Sequence, residues 1–298
     1  MNYLSVAATA KKWAMSERTV RNYCAQGKIP GAFLTGKTWN IPDAASIPDR
    51  INKRSDEPKT LLEVLKAERT AKTSGGIYHK VQIDLTYNSN HIEGSRLTHD
   101  QTRYIFETNT IGAGSNAMNV DDIMETANHF KCIDMVIEQA TYMLTEKFIK
   151  QLHLTLKSGT SDSRKDWFVV GDYKRLPNEV GGRETTPPEQ VANETAELLK
   201  AYNATKEKTL AEIIDFHVRF ESIHPFQDGN GRVGRLIMFK ECLRNNIVPF
   251  IISDDKKMFY YRGLHEWKTE RGYLTDTCLS AQDQFKKYLE YFKIPFSE

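Results

Sequence analysis

Two helical patterns meet at residues 224–235, which read His224-Pro225-Phe226-Gln227-Asp228-Gly229-Asn230-Gly231-Arg232-Val233-Gly234-Arg235. Apolar and aromatic residues recur at helical spacing before this stretch, at Leu210, Ile213, Ile214, His217, Phe220 and Ile223. The same spacing returns after it, at Val233, Leu236, Ile237 and Leu243. The stretch is therefore predicted to be a short loop between two helices, and the rest of the chain is interpreted outward from it.

The composition of this loop is typical of an anion site. Its glycines allow backbone N–H groups to face a phosphate, and the second helix presents its positive N-terminal end. Arg232 and Arg235 lie three residues apart, so both can project from one helix face as forked donors. The alternative is a plain connection between helices, in which Asp228 and Asn230 serve as turn and cap residues.

The loop resembles the signature of the Fic family of protein adenylyltransferases, His-x-Phe-x-Asp/Glu-Gly-Asn-Gly-Arg-x-x-Arg, and every specified position matches. The resemblance covers residues 61–298 and implies an all-α fold, a helical bundle with a small β-hairpin flap. It implies transfer of AMP from ATP to a Ser, Thr or Tyr hydroxyl of a protein, the chain itself included. Pyrophosphate would be released.

The resemblance also assigns the chemical groups. His224 is expected to accept the proton of the hydroxyl, since an imidazole titrates near neutrality. Asp228 is expected to hold a Mg²⁺ ion that bridges two phosphates of ATP, because Mg²⁺ sites use one or two carboxylates with phosphate oxygens. Phe226 is expected to pack inward and to take no part in the chemistry.

The remaining residues of the loop are expected to bind phosphates. The backbone N–H groups from Gly229 to Gly231, with the side chain of Asn230, would cradle them. Arg232 would offset charge on the leaving pyrophosphate, and Arg235 would hold the γ-phosphate.

Two further stretches fit an ATP site. Residues 171–188 resemble the Fic flap, with Val180, Gly181 and Gly182 at its tip, and its edge would hold a target segment by strand addition. Tyr260 and Tyr261 match the paired tyrosines that the family places beside the adenine and ribose. The alternatives are an ordinary surface hairpin and tyrosines that pack in the core.

A regulatory motif precedes the loop. Residues 89–94, Ser-Asn-His-Ile-Glu-Gly, resemble the inhibitory Ser/Thr-x-x-x-Glu-Gly motif of the autoinhibited Fic class, in which Glu93 would pair with Arg235 and exclude the γ-phosphate. Alternatively, Ser89 caps a turn and Glu93 is a solvated charge. A third possibility is that Glu93 orients water for removal of AMP from a modified protein.

The first 50 residues predict a separate domain. Two short helices at 5–14 and 16–26 and two strands at 29–34 and 38–41 describe a winged helix-turn-helix that resembles excisionase or MerR-type DNA-binding domains. Residues 1–54 hold nine basic and three acidic residues, a net charge of +6 on a chain whose total is +2. The resemblance would place five side chains on DNA: Arg18, Thr19, Arg21, Asn22 and Lys37. The alternative is a protein-docking domain.

The chain is thus interpreted as a winged helix-turn-helix at 1–50, a polar linker at 51–60 and a Fic domain at 61–298. Helices of the last are predicted at 61–72, 77–90, 99–108, 120–140, 145–157, 188–205, 209–223, 230–245, 256–268 and 276–292. No apolar run has membrane-spanning length, and the four cysteines show no metal-binding spacing. We expect a cytoplasmic protein with no membrane contact, a possible homodimer. The competing function is a transcriptional regulator that senses nucleotide with little turnover.

Overall fold

A computed structural model describes residues 2–48, 60–112 and 117–296. The chain forms two compact units, one within residues 1–57 and the other within residues 58–298. The predicted linker at 51–60 lies outside the described residues except for Thr60, whose hydroxyl caps the first helix of the second unit.

The first unit contains two helices, α1 (Val6–Lys12) and α2 (Glu17–Ala25), and an antiparallel sheet of three strands. Its strands are β1 (Tyr3–Leu4), β2 (Phe33–Thr35) and β3 (Thr38–Pro42), in the order β1-β3-β2. The two predicted helices and the hairpin are confirmed, whereas β1 was not expected. The first hairpin strand begins at residue 33 instead of 29 because Pro30 and Gly31 form a turn, with Gly31 at a φ of 77°.

The second unit is a bundle of helices with one small hairpin. Its helices are α3 (Leu61–Ala71), α4 (Ile77–Ile92), α5 (His99–Thr108), α6 (Val120–Glu138), α7 (Glu146–Lys157), α8 (Pro188–Tyr202), α9 (Leu210–Ile223), α10 (Asn230–Arg244), α11 (Lys257–Glu266) and α12 (Gly272–Tyr291). Strands β4 (Glu179–Val180) and β5 (Arg183–Glu184) form the hairpin. The mostly helical prediction is confirmed, and each predicted helix is present with ends shifted by a few residues.

Helix α10 lies at the centre of this bundle and packs against α4, α6, α7 and α9. It is buried on nearly every side, so its charged side chains find charged partners inside the protein. Lys240 and Glu241, for example, are both fully buried and form an ion pair of 2.8 Å. The N-terminal end of this buried helix is where the 224–235 loop joins it.

Two further predictions concern the cysteines and the membrane-spanning length of apolar runs. All four cysteines are buried free thiols. Within residues 2–48, 60–112 and 117–296, every helix is too short or too polar to cross a bilayer.

Candidate functional site

His224 ends α9 and opens the loop. It has a left-handed backbone conformation, with φ at 51°, and its N–H donates to the Phe220 carbonyl at 2.9 Å. Nδ1 lies 3.3 Å from the Glu221 carbonyl, which can only accept, so Nδ1 carries the proton and Nε2 is left as an acceptor. Burial first, and then the charge of Lys174, lower the pKa of His224 to about 4. The imidazole is therefore neutral at pH 7, the form that a general base requires.

The turn of the loop is braced from within by Asn230. Its Oδ1 accepts the Phe226 N–H and its Nδ2 donates to the Phe226 carbonyl, both at 2.8 Å. Both polar atoms of this buried amide therefore bond to the loop backbone, and the phosphate contact of the Asn230 side chain stays a prediction. Phe226 is fully buried, as predicted. Gly229 has a φ of 82° and joins the turn to α10.

Asp228 belongs to a network of charges that the sequence analysis did not identify. Lys157 on α7, which is almost fully buried, donates from Nζ to Asp228 at 2.7 Å, to Glu125 at 2.5 Å and to Asp162 at 2.9 Å. Arg232 is forked between Glu125 and the same Asp228 oxygen, Oδ2. The predicted phosphate ligand Arg232 thus lies beside the loop carboxylate, with its charge shared between two acids.

The Asp228 carboxylate is the exposed member of this network, with 51% of its side chain accessible. Desolvation acts to raise its pKa, but the charges of Arg232 and Lys157 hold that pKa well below the ordinary value. Asp228 is therefore ionised at neutral pH. In the described part of the chain, no group of three or more His, Cys, Asp or Glu side chains could form a metal cage. One exposed carboxylate fits a Mg²⁺ ion whose other ligands are phosphate oxygens and water.

Arg235 is enclosed by the predicted regulatory motif. Its guanidinium donates to Ser89 Oγ at 3.0 Å, to the Ser89 carbonyl at 2.9 Å and to Glu93 Oε1 at 2.7 Å. Only 4% of the arginine is exposed. The Glu93 carboxylate also occupies the place where a Cβ of Gly231 would lie. The structure therefore brings the motif together with both Arg235 and the first turn of α10.

The paired tyrosines have different environments. Tyr260 is fully buried, and its hydroxyl lies 2.7 Å from His217 Nε2 and 3.5 Å from Arg235 Nη1. Tyr260 thus packs in the core, the alternative given for these tyrosines, and its contact with a base or ribose stays a prediction. Tyr261 is 38% exposed and donates to the Ile92 carbonyl at 3.1 Å, next to Glu93.

The predicted flap is a hairpin of β4 and β5. Val180 pairs with Arg183 across a two-residue turn, and Gly181 and Gly182 have φ values of 59° and 75°. All the residues at this tip are exposed. Arg183 donates to the His265 carbonyl at 3.1 Å, so the hairpin contacts the end of α11.

The segment that holds the loop matches a known protein family. Residues 143–242 match the Fic/DOC family. They include α7, the hairpin, α9, the loop and most of α10, so the Fic/DOC segment holds the catalytic candidates, whereas Ser89 and Glu93 precede it.

The curated relatives carry the name protein adenylyltransferase Fic. The protein from Nematostella vectensis is 26% identical over 187 residues, which cover 60% of this chain and 42% of the relative. The protein from Drosophila mojavensis is 27% identical over 217 residues, or 72% of this chain and 41% of the relative. The matched part thus spans about two fifths of the length of these relatives.

Solved structures agree with the fold of the Fic/DOC segment and the helices around it. A Fic-domain-containing signalling protein from Bacteroides thetaiotaomicron superposes with a TM-score of 0.57 at 25% identity, covering 77% of this chain and 90% of that one. Fic-1 from C. elegans gives a TM-score of 0.61 at 18% identity, covering 76% and 66%. The second likeness shows the fold alone.

Outside the Fic/DOC segment, α2 and the β2–β3 turn hold the predicted DNA contacts. Arg18, Asn22 and Lys37 are exposed. Arg21 is exposed but forms an ion pair with Glu17 at 2.8 Å. The Thr19 hydroxyl lies 2.8 Å from Ser16 Oγ, so it is part of the α2 cap.

Proposed function

We propose that this chain is a protein adenylyltransferase, which transfers AMP from ATP to a protein hydroxyl. The observation that carries the proposal is the 224–235 loop, where a neutral imidazole and an ionised carboxylate flank the N-terminal end of α10. A helix N-terminus favours phosphate binding. The coincidence of a base, a cation ligand and an anion site fits phosphoryl chemistry.

The residues present can perform each part of the transfer. His224 Nε2 would take the proton of a Ser, Thr or Tyr hydroxyl while that oxygen attacks the α-phosphorus of ATP. The bond from this phosphorus to the bridging oxygen breaks, and pyrophosphate leaves with the electron pair. The backbone N–H groups of Gly229 and Gly231 would bind phosphate oxygens. Asp228 would hold a Mg²⁺ ion, which offsets phosphate charge when it is bound.

We further propose that Glu93 inhibits this reaction. Its carboxylate lies against the first turn of α10 and binds Arg235, so negative charge stands where a terminal phosphate would lie. ATP could then enter only with its α-phosphate out of line for attack. Loss of in-line geometry costs several kcal/mol of barrier.

The target is proposed to be a protein segment that adds to the flap. The hairpin is two residues per strand, its tip is exposed, and Val180 is 40% accessible, as an edge that receives an extended peptide requires. A Ser, Thr or Tyr of that segment would then face the loop.

The experiment compares labelling from α-³²P-ATP and γ-³²P-ATP with Mg²⁺ for the wild type and Glu93→Gly, including self-modification. We expect Glu93→Gly to raise α-label incorporation at least about tenfold, with no γ-label, and His224→Ala in that background to abolish it. Glu138→Gly, a change at the exposed end of α6, is the matched control. Equal labelling by wild type and Glu93→Gly contradicts inhibition, and labelling without His224 contradicts the assigned base.

A second proposal concerns the first unit, which we infer binds DNA. It is supported by the net charge of +6 in residues 1–54 and by exposed Arg18, Asn22 and Lys37 on α2 and the β2–β3 turn. A single reader of this size binds weakly, so a dimer is expected. Triple substitution of these residues by alanine should abolish the shift of a selected DNA duplex in a gel. Retained binding contradicts this surface, and DNA binding without any AMP transfer favours the nucleotide-sensing regulator.

A further inference from the structure

The loop is held from the hairpin side by the segment 174–178, here called the hairpin stem. The Lys174 N–H donates to the Pro225 carbonyl at 2.9 Å. Asn178 Nδ2 donates to the Phe226 carbonyl at 3.1 Å. The stem therefore binds two successive carbonyls of the loop.

These contacts determine which way the loop presents its donors. Across a trans peptide, a carbonyl and the N–H of the next residue point in opposite directions. The Phe226 carbonyl is held by Asn178 at 3.1 Å from the hairpin side and by Asn230 at 2.8 Å from within the loop, so the Gln227 N–H is turned to the opposite side. His153 on α7 holds the Asp228 carbonyl at 3.1 Å in the same way, which turns the Gly229 N–H outward.

Lys174 also brings a buried positive charge to the same place. The residue is 3% exposed, and its ammonium donates to Asn178 Oδ1 at 2.7 Å, Thr185 Oγ1 at 2.5 Å and the Ile223 carbonyl at 3.4 Å. These three acceptors are neutral, and no carboxylate of the described residues forms an ion pair with Lys174 Nζ. The charge of Glu194 on α8 acts on the ammonium from a distance, without an ion-pair contact.

We infer that Lys174 and Asn178 are positioning residues of the His224 loop: the hairpin stem orients the loop's phosphate-facing N–H groups, and the Lys174 ammonium places a buried positive charge at the end of α9, beside His224. The role in the reaction rests on the proposed function, whereas the effect on His224 does not. Neither residue touches the reacting atoms.

The charges around His224 determine whether loss of the Lys174 charge raises or lowers the pKa of His224. The Glu221 carbonyl, which accepts from Nδ1, and the charges of Glu93 on α4 and Asp228 in the loop favour protonation of His224. The Glu221 carboxyl lies 3.9 Å from Nδ1, but burial raises its pKa to about 8, so it is mostly uncharged at pH 7. Lys174 opposes Glu93 and Asp228 from the hairpin side, and burial lowers its own pKa only to about 8. Removing its charge therefore leaves the charges of Glu93 and Asp228 unopposed and must raise the pKa of His224.

The first test is an NMR titration of the histidines in the full chain, with the His224 signal assigned by its loss in His224→Ala. We expect Lys174→Met to raise the His224 midpoint by on the order of one pH unit, and Lys174→Arg to leave it near the wild-type value. Lys150→Met is the matched control, because Lys150 is a lysine on α7 paired with Glu146 and Asp172 away from the loop. An unchanged midpoint in folded Lys174→Met, or an equal rise in Lys150→Met, overturns the charge effect.

The second test measures AMP transfer in the Glu93→Gly background. Lys174→Met should shift the acid limb of kcat/KM upward with the NMR midpoint. Asn178→Ala removes the donor to the Phe226 carbonyl and one acceptor of the Lys174 ammonium but keeps the Lys174 charge, so it should raise KM for ATP about tenfold and move the acid limb less than Lys174→Met does. Asn193→Ala, at an exposed position of α8, is the control for Asn178→Ala. An unaltered KM in Asn178→Ala overturns the positioning role. If Glu93→Gly shows no His224-dependent transfer, the proposed function fails, while the titration still decides the effect of Lys174 on His224.

Discussion

At the scale of single residues, the contact between Glu93 and Arg235 limits which residue can occupy position 231. Gly231 lies in the first turn of α10, so its backbone does not require glycine. The space beside its Cα is filled by the Glu93 carboxylate, and a side chain there would also approach Arg235 Nη1 to 3.0 Å. The requirement for glycine therefore comes from the contact with Glu93.

This constraint predicts that Gly231→Ala changes the free energy of unfolding in opposite directions with and without the Glu93 side chain. Gly231→Ala should destabilise the wild type, because the new methyl group displaces Glu93 from Arg235. In the Glu93→Gly background the same change should stabilise by about 0.5 to 1 kcal/mol, the usual gain from replacing glycine within a helix. Urea unfolding of the four proteins measures both values. The same sign in both backgrounds would contradict the packing described for Gly231.

The motif predicted the contact between Glu93 and Arg235, but not the bonds from Arg235 to Ser89 or the bonds from Asn230 to the loop backbone. A motif states which residues occur, whereas the direction of a side chain depends on neighbours distant in sequence. Tyr260 points inward because its hydroxyl meets His217 on α9. Its neighbour Tyr261 lies on another face of α11 and remains partly exposed.

At the scale of elements, α7 is the platform on which the loop rests. His153 and Lys157 are four residues apart and share one face. The imidazole stacks on Phe226 at 4.0 Å between ring centroids and binds the Asp228 carbonyl, while the ammonium binds the Asp228 carboxylate. This role could be inferred only weakly from the sequence, where a histidine and a lysine lie four residues apart in a predicted helix.

Replacing the buried lysine of α7 should be costly. Lys157→Met leaves three carboxylates without their shared cation, and breaking a buried ion pair costs about 3 to 5 kcal/mol. Lys150→Met, on the same helix but 27% exposed, should cost less than about 1 kcal/mol. The free energy of unfolding in urea tests the difference. Similar losses for the two variants would show that the Lys157 network contributes little.

Helix periodicity predicted the elements of the second unit well because most of its helices have one buried face. The boundaries followed capping residues such as Thr98 and Thr209, whose side chains bond to the first turn of their helices. The strand β1 was missed because two residues are too few to show alternation. The central position of α10 could be inferred only weakly, since its sequence contains four charged residues that are buried in the fold.

At the scale of the whole molecule, three histidines are buried in the neutral form. Burial is the largest cause that lowers the pKa values of His129, His153 and His217 to about 3. Their ordinary value in an unfolded chain is about 6.5. Between these values the three imidazoles bind more protons in the unfolded chain than in the folded one, so their contribution to stability is complete above about pH 6.5 and is lost as the pH decreases toward 3. The buried Glu221, whose pKa burial raises to about 8, contributes with the opposite sign, but it is one group against three.

This linkage predicts early acid sensitivity. The urea midpoint should begin to fall below about pH 6.5, before most carboxylates titrate, and the fall should continue toward pH 4. Far-UV circular dichroism across a pH series measures it. His217→Gln should reduce the slope, whereas substitution of the exposed His265 should not. A flat midpoint between pH 6.5 and 5 would contradict the burial of neutral imidazoles.

The division into two units was predicted from charge and composition, and the division observed near residue 57 falls inside the predicted linker. The membership of each helix in its unit followed from periodicity. The charged network around Asp228 could not be predicted from the sequence. Glu125 and Asp228 are far from Lys157 along the chain, and each of these residues resembles an ordinary solvated side chain. Pairing of such residues is decided by packing, which a single sequence does not contain.

Glu93 occupies the C-cap position of α4, and Gly94 follows it with a φ of 96°. The end of a helix has the fewest backbone hydrogen bonds, and its last turn opens at a small fraction of the free energy that unfolds the whole domain. Freeing Arg235 requires the loss of its bond to Glu93 and of its two bonds to the buried Ser89, which begins that turn. Under the proposed inhibition by Glu93, the rate of AMP transfer at rest would be set by that local equilibrium. Warming, or a partner that binds the frayed end of α4, would raise this rate while the helical bundle stays folded.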